Sequence, residues 1–318
     1  MPSLKIYQHT LAGCVSFDGI GVHSGVPVRL SIHPADADTG IVFHAVDGQG
    51  RAHEIRAISA NVAATDLSTV IGDPAGVHVA TIEHLMAALY ALGVDNAIIS
   101  IEGREIPIMD GCSAAFVAGI DSVGLVEQGT KRRYIRVLKS VRVDHNGGSA
   151  EYVPHQGHRF EIDIDFKAQA IGRQRIEFDL DADLFRRELS RARTFGFMKD
   201  VERLWAAGFA LGSSLENSVV VGDDETVINP GGLRYENEFV RHKALDAVGD
   251  QSLAGARIIG TFRSYRGGHR LNAMALGELL SDSRAYELME LPAPRRRSGL
   301  RHAPLAAAAA PAFSPQTL

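Results

Sequence analysis

His242 and Asp246 stand four residues apart. That is about one helical turn, so a helix over this stretch carries both side chains on one face. An imidazole and a carboxylate so placed offer two ligand atoms to a transition metal, and a distant histidine, His84, would complete a set of three. Three protein ligands with an open fourth position describe a hydrolytic zinc centre. Glu83 directly precedes His84, and a carboxylate beside such a metal, itself not a ligand, can take the proton of an attacking water. Asp250 falls a further turn along the helix, too far to be assumed a ligand and better placed to orient a histidine. Each residue also has a plain use. A His–Asp pair at this spacing suits a solvated helix face, and a glutamate in a first turn suits the helix dipole.

Two more positions invite chemistry. His269 follows Gly267-Gly268; glycines let the backbone approach a ligand, and a histidine there can protonate a leaving amine. An ordinary loop histidine ahead of a helix has the same pattern. Thr194, in the run ARTFGF, can offer a hydroxyl to a developing oxyanion or serve as a turn or cap residue. Met198, Val201, Leu204 and Trp205 then recur at helical spacing. They read as domain packing unless the stripe is exposed, in which case they suit a lipid.

These residues need elements to hold them. Ile82, Leu85, Met86, Leu89 and Leu92 predict a helix over 81–92 with Thr81 as its N-cap, and with Glu83 and His84 pointing away from the apolar stripe. Further helices are expected over 114–122, 199–207, 238–251 and 271–288. Strands are expected within 13–46, over 97–101, 159–166 and 257–263, and as a hairpin, 137–143 with 149–153, turning at Asn146-Gly147-Gly148. In 159–166, Phe160, Ile162, Ile164 and Phe166 alternate with charged residues, the pattern of a strand with one wet face. Both halves run strands first and helices after. The expected fold is therefore α+β, with helices on one face of each sheet. The polar run Glu127–Arg133 is the expected linker between an N-terminal domain, 1–126, and a C-terminal domain, 134–288.

Composition narrows the possibilities. In 318 residues, 45% hydrophobic and 22% charged, there is enough apolar side chain for two ordinary cores, which excludes wholesale disorder. A net charge of −5 without a long basic run excludes nucleic-acid binding as the main task. Cys14 and Cys112 are the only cysteines, too few for a disulfide framework, and they suit reduced thiols in a cytoplasmic protein. The first ten residues lack the apolar core of a signal peptide, and no stretch reaches the roughly 18 apolar residues of a membrane span. From Pro292 onward five of the twelve prolines accompany an alanine run, so residues 289–318 are expected to be a disordered tail.

Several motifs, in order, resemble one family. TIEHLMAAL (81–89), IPIMDG (106–111), RARTFGFM (191–198), NPGGLRYENEFVRHKALDAVGD (229–250) and GGHRLN (267–272) are similar to UDP-3-O-acyl-N-acetylglucosamine deacetylase, the zinc amidase that commits carbon to lipid A synthesis in Gram-negative bacteria. The similarity covers about residues 3–288. It implies two similar α+β domains with their helices sandwiched between two sheets, one zinc per chain, an acylated UDP-sugar substrate, a monomer and a cytoplasmic location. Carried over by motif, His84, His242 and Asp246 bind zinc and Glu83 is the general base. His269 assists the leaving amine with Asp250 beside it, Thr194 faces the oxyanion, and Lys243 contacts substrate. Phe195, Met198, Val201 and neighbours up to about Val221 line an acyl passage.

The chain departs from the family pattern at Cys112, where serine is usual, and at Ala115, where proline is common. Arg266-Gly267 replaces the usual Lys-Ser, which bears on a substrate phosphate contact, although Arg keeps the charge and adds donors. Two other readings fit the residues: a zinc amidase of this architecture with another N-acyl substrate, and a non-catalytic binder of sugar nucleotide or lipid.

Overall fold

A computed structural model describes residues 4–292. Val15–Ile20, Pro27–Pro34, Ile41–Val46, Ala52–Arg56 and Ala97–Glu102 form a five-stranded sheet, with Ala97–Glu102 between Pro27–Pro34 and Ile41–Val46. A seven-stranded sheet gathers the later strands around Arg257–Tyr265. Its hairpin, Val141–His145 with Gly148–Val153, closes on Asn146-Gly147, both at positive φ (48° and 76°). That is the two-residue turn whose twist matches paired strands. Pairing in both sheets is mostly antiparallel.

Six helices are described: α1 (Glu83–Leu92), α2 (Ala114–Val123), α3 (Ala182–Leu184), α4 (Met198–Ala206), α5 (Glu238–Gln251) and α6 (His269–Ser281). One hydrophobic core runs from Leu30, Ile32, Phe43 and Ile99 of the first sheet, through α1 and α5, to Phe160, Ile162 and Phe262 of the second. The fold is thus α+β with helices between two sheets. None of the described helices is long and apolar enough to cross a membrane.

Four local expectations change. All ten residues of α1 are buried, so it has no wet face; α5 covers the side that carries Glu83 and His84. Thr81 is not its cap: it sits at φ 59°, and its hydroxyl donates to Glu105 at 3.2 Å. The polar run 127–133 carries strand, since Leu125–Lys131 pairs with Tyr7–Leu11, and Arg132 is buried against Asp95. Its polar composition suits a strand lying at the surface. The last helix stops at Ser281, and Tyr286–Glu290 pairs with Arg133–Val137. Asp282 accepts the Arg284 backbone N–H at 3.0 Å, a local bond that competes with helix continuation. Of the expected tail, 289–290 belongs to this strand, and 293–318 lies outside the described residues.

Candidate active site

The first turn of α1 faces α5 across a contact set by Gly249, where a Cβ would overlap the carbonyl oxygen of Glu83. This close approach brings residues far apart in the chain to one point. Asp246 Oδ1 lies 3.3 Å from His242 Nε2 and 3.7 Å from His84 Nε2. Two ligands about 2.1 Å from a tetrahedral zinc stand about 3.4 Å apart, so the spacing fits a metal. His242 Nδ1 donates to the Ala192 carbonyl at 3.1 Å, which leaves the Nε2 lone pair free to ligate. Asp246 Oδ1 is buried and has no hydrogen-bond partner, whereas Oδ2 accepts from Lys243 Nζ at 2.8 Å. A buried carboxylate oxygen left bare between two imidazoles is what a missing cation would explain. Burial, with His242 beside it, pushes His84 down to about 3, and burial lowers His242 as well. Both shifts favour the neutral imidazole that ligation requires. Burial opposes the Asp246 anion, but His242 and Lys243 outweigh it and hold the carboxyl well below its usual range.

Beside this cluster lies an acid–base pair. Glu83 Oε1 is 3.7 Å from His269 Nε2. His269, at the start of α6, donates from Nδ1 to Asp250 Oδ2 at 2.9 Å. Burial is the main influence that raises Glu83 to about 7. Burial also works against the His269 cation, but Asp250 and Glu83 prevail and raise it to about 9. Both groups are thus raised: the carboxyl reaches neutral pH, where it can take up and release a proton, and the imidazole holds its proton there as a donor.

A cavity of about 340 Å³ opens over these groups. Thr194, Phe195, Met198, Val201 and Lys243 line it, together with Leu204 and Trp205 of α4. No residue of α4 is buried, and Met198 and Trp205 are 40% and 54% exposed. The stripe expected to pack inward therefore faces the cavity and solvent. Arg193 carries Thr194 into place through Glu238, fully buried at the start of α5, which accepts Arg193 N–H at 3.0 Å and Nε at 2.8 Å.

The model of the family UDP-3-O-acyl N-acetylglycosamine deacetylase matches residues 8–281. A Brucella ovis protein named UDP-3-O-acyl-N-acetylglucosamine deacetylase is 54% identical over 287 residues, which are 90% of this chain and all of that protein. A Brucella melitensis protein of the same name is 53% identical over the same shares. The chain belongs to the UDP-3-O-acyl N-acetylglycosamine deacetylase family. It is a deacetylase, a hydrolase of lipid A biosynthesis.

Within this deacetylase some expected residues lie away from the cavity. Arg266 is exposed at φ 50° and is not among the lining residues. Cys112 is buried beside the site, where its thiol donates to Asp110 at 3.0 Å; burial, then Asp110, pushes it up to about 12. Ala115 is the second residue of α2 and is half-buried. Three residues escaped sequence reasoning. His23 lines the cavity with a buried, unpartnered Nδ1. Asn272 donates to Asp250 at 2.7 Å. Thr69 bonds both Glu83 and Asp250. None of the three sits at a spacing that marks it; the only hint at His23 is its small neighbours in GVHSG.

Proposed function

We propose that the chain hydrolyses the N-acetyl group of UDP-3-O-(3-hydroxyacyl)-N-acetylglucosamine to the free amine and acetate, using one zinc held by His84, His242 and Asp246. The bare Asp246 Oδ1 between two neutral imidazoles carries this reading. Bound zinc supplies Lewis acidity toward the acetyl carbonyl and lowers the pKa of water towards about 7. Glu83 takes the proton of the attacking water. Thr194 donates to the carbonyl oxygen as charge builds on it. His269, oriented by Asp250, delivers a proton to the nitrogen as the C–N bond breaks. Lys243 holds Asp246 through its Oδ2 and presents its remaining N–H groups to substrate. Phe195, Met198 and Val201 take the acyl chain, a role supported by the apolar wall they form along the cavity, with Met198 exposed and Phe195 and Val201 half-buried. Arg266, exposed beyond it, is assigned to the distal phosphate end of the substrate. Action as a monomer in the cytoplasm completes the proposal; the free thiols Cys14 and Cys112 are consistent with a reducing compartment.

The test is acetate release from the acylated UDP-sugar, with and without a chelator, in wild type, Glu83→Ala and His269→Ala, with zinc content measured alongside. A general acid or base contributes about 10²–10⁴-fold, and each variant should lose that much while retaining zinc. Turnover near wild type in either variant overturns its assigned role. Turnover unaffected by complete zinc removal overturns the metal.

A further inference from the structure

Thr69 lies in the loop before the strand Val70–Gly72, is 2% exposed, and reaches two carboxylates at once. Its backbone N–H donates to Glu83 Oε2 at 3.0 Å, and its hydroxyl donates to Asp250 Oδ1 at 2.6 Å. Its carbonyl also accepts the N–H of Ile82, just ahead of α1, at 3.3 Å. Each carboxylate is thereby left with one oxygen for the reaction side. Glu83 keeps Oε1, the oxygen 3.7 Å from His269 Nε2. Asp250 keeps Oδ2, which accepts from His269 Nδ1 at 2.9 Å and from Asn272 at 2.7 Å. Among the described residues, no other side-chain donor bonds Asp250 Oδ1.

We infer that Thr69 is a positioning residue that fixes which oxygen of Glu83 and of Asp250 faces the reacting groups, and so couples the base to the acid. The residue type suits the task. A carboxylate with one bonded and one bare oxygen can rotate to exchange them, and a donor on the far oxygen opposes that rotation. A β-branched side chain holds its χ1 stiffly, so the hydroxyl is aimed before substrate arrives. Serine keeps the donor with a looser aim, and valine keeps the shape without it. The inference rests on the roles proposed for Glu83 and His269.

The experiment compares zinc-loaded wild type, Thr69→Val, Thr69→Ser, Asp250→Asn and the Thr69→Val/Asp250→Asn double variant. Groups supporting a site from behind typically account for 10- to 100-fold, so T69V should lose roughly that much kcat while KM, zinc content and melting temperature stay near wild type. T69S should recover kcat to within a few-fold. In the D250N background T69V should cost less than about twofold more, because valine removes only the hydroxyl, which acts through Asp250, and leaves the backbone N–H on Glu83 in place. Histidine-selective NMR should show the His269 Nδ1 proton displaced in T69V and restored in T69S. If T69V does not fold, Thr69→Ala takes its place under the same criteria. A T69V kcat within twofold of wild type, or a full additive loss on top of D250N, overturns the inference. Wild-type activity in Asp250→Asn and Glu83→Ala overturns instead the catalytic reading beneath it.

Discussion

Gly249 of α5 lies against the backbone of Glu83 in α1 with no room for a Cβ between them. Glu83 and the His242–Asp246 half of the cluster are thus held together by the absence of a side chain. Gly249→Ala should force the two helices apart at the level of the site. Overpacking of this kind costs about 1–3 kcal/mol, and the shift should separate His84 from His242 and Asp246. Thermal unfolding and zinc analysis on the variant should show both a lower melting temperature and a weakened metal. Gly277→Ala is the control. Position 277 is exposed on α6 with open space around a new Cβ, and alanine there should stabilise by roughly 0.5–1 kcal/mol.

Metal removal should cost stability as well as activity. Without a cation, Asp246 Oδ1 is a buried anionic oxygen lacking a partner. A ligand present at about 100 times its Kd stabilises the native state by about 2.7 kcal/mol. Added zinc should therefore raise the melting temperature of chelated wild type by several degrees and leave His242→Ala nearly unmoved. An equal rise in both proteins would place the stabilising metal elsewhere.

The apolar wall of α4 leads to a prediction about chain length. Val201 lines the cavity from the middle of the helix, and Val201→Trp should fill the space that a long acyl chain needs. Excluding three or four methylenes at about 0.8 kcal/mol each lowers kcat/KM for a long-chain substrate by roughly 100-fold. A substrate with a short chain should be turned over almost as well as by wild type. The discriminating measurement is kcat/KM across a series of acyl lengths in both proteins.

His158 should make the fold acid-sensitive independently of catalysis. It is buried between Tyr90 and Phe160, its Nε2 has no partner, and burial, with Arg257 adding to it, lowers it to about 3. The unfolded chain titrates near the ordinary value of about 6.5. Between these values the unfolded state binds more protons, so stability is full above about pH 6.5 and falls as pH drops towards 3. The slope from this group is at most about 1.4 kcal/mol per pH unit. Denaturant unfolding at several pH values, at matched zinc saturation, should show a shallower acid dependence in His158→Phe than in wild type. Parallel curves would mean that His158 is protonated without cost.

Local rules made much of this molecule readable. The turn between His242 and Asp246, the pairing of Glu83 with His84, the Asn146-Gly147 hairpin and the alternation along 159–166 all follow from helix and strand periods acting over a few residues. Those rules were blind where a segment answers to a distant partner. Residues 127–133 have the polar composition of a connecting segment, yet most of them lie in the strand 125–131 that pairs with the strand 7–11. Residues 286–288 continue the helical pattern expected over 271–288, yet the strand 133–137 takes 286–290 into the sheet.

The amino-acid sequence by itself determined the chemistry on offer: two histidines and an aspartate able to ligate, a carboxylate and an imidazole able to exchange protons, and an apolar stripe ahead of them. Tertiary structure decided that these meet. His84 and His242 come within a ring-centroid distance of 5.0 Å only because α1 is buried whole against α5, and that burial depends on Gly249 and on a core shared by both sheets. It also decided that Thr69, which no spacing singles out, stands behind both Glu83 and Asp250. Helical periodicity acts over one or two turns. Bringing residues together across most of the chain is the work of packing, which no short stretch of sequence records.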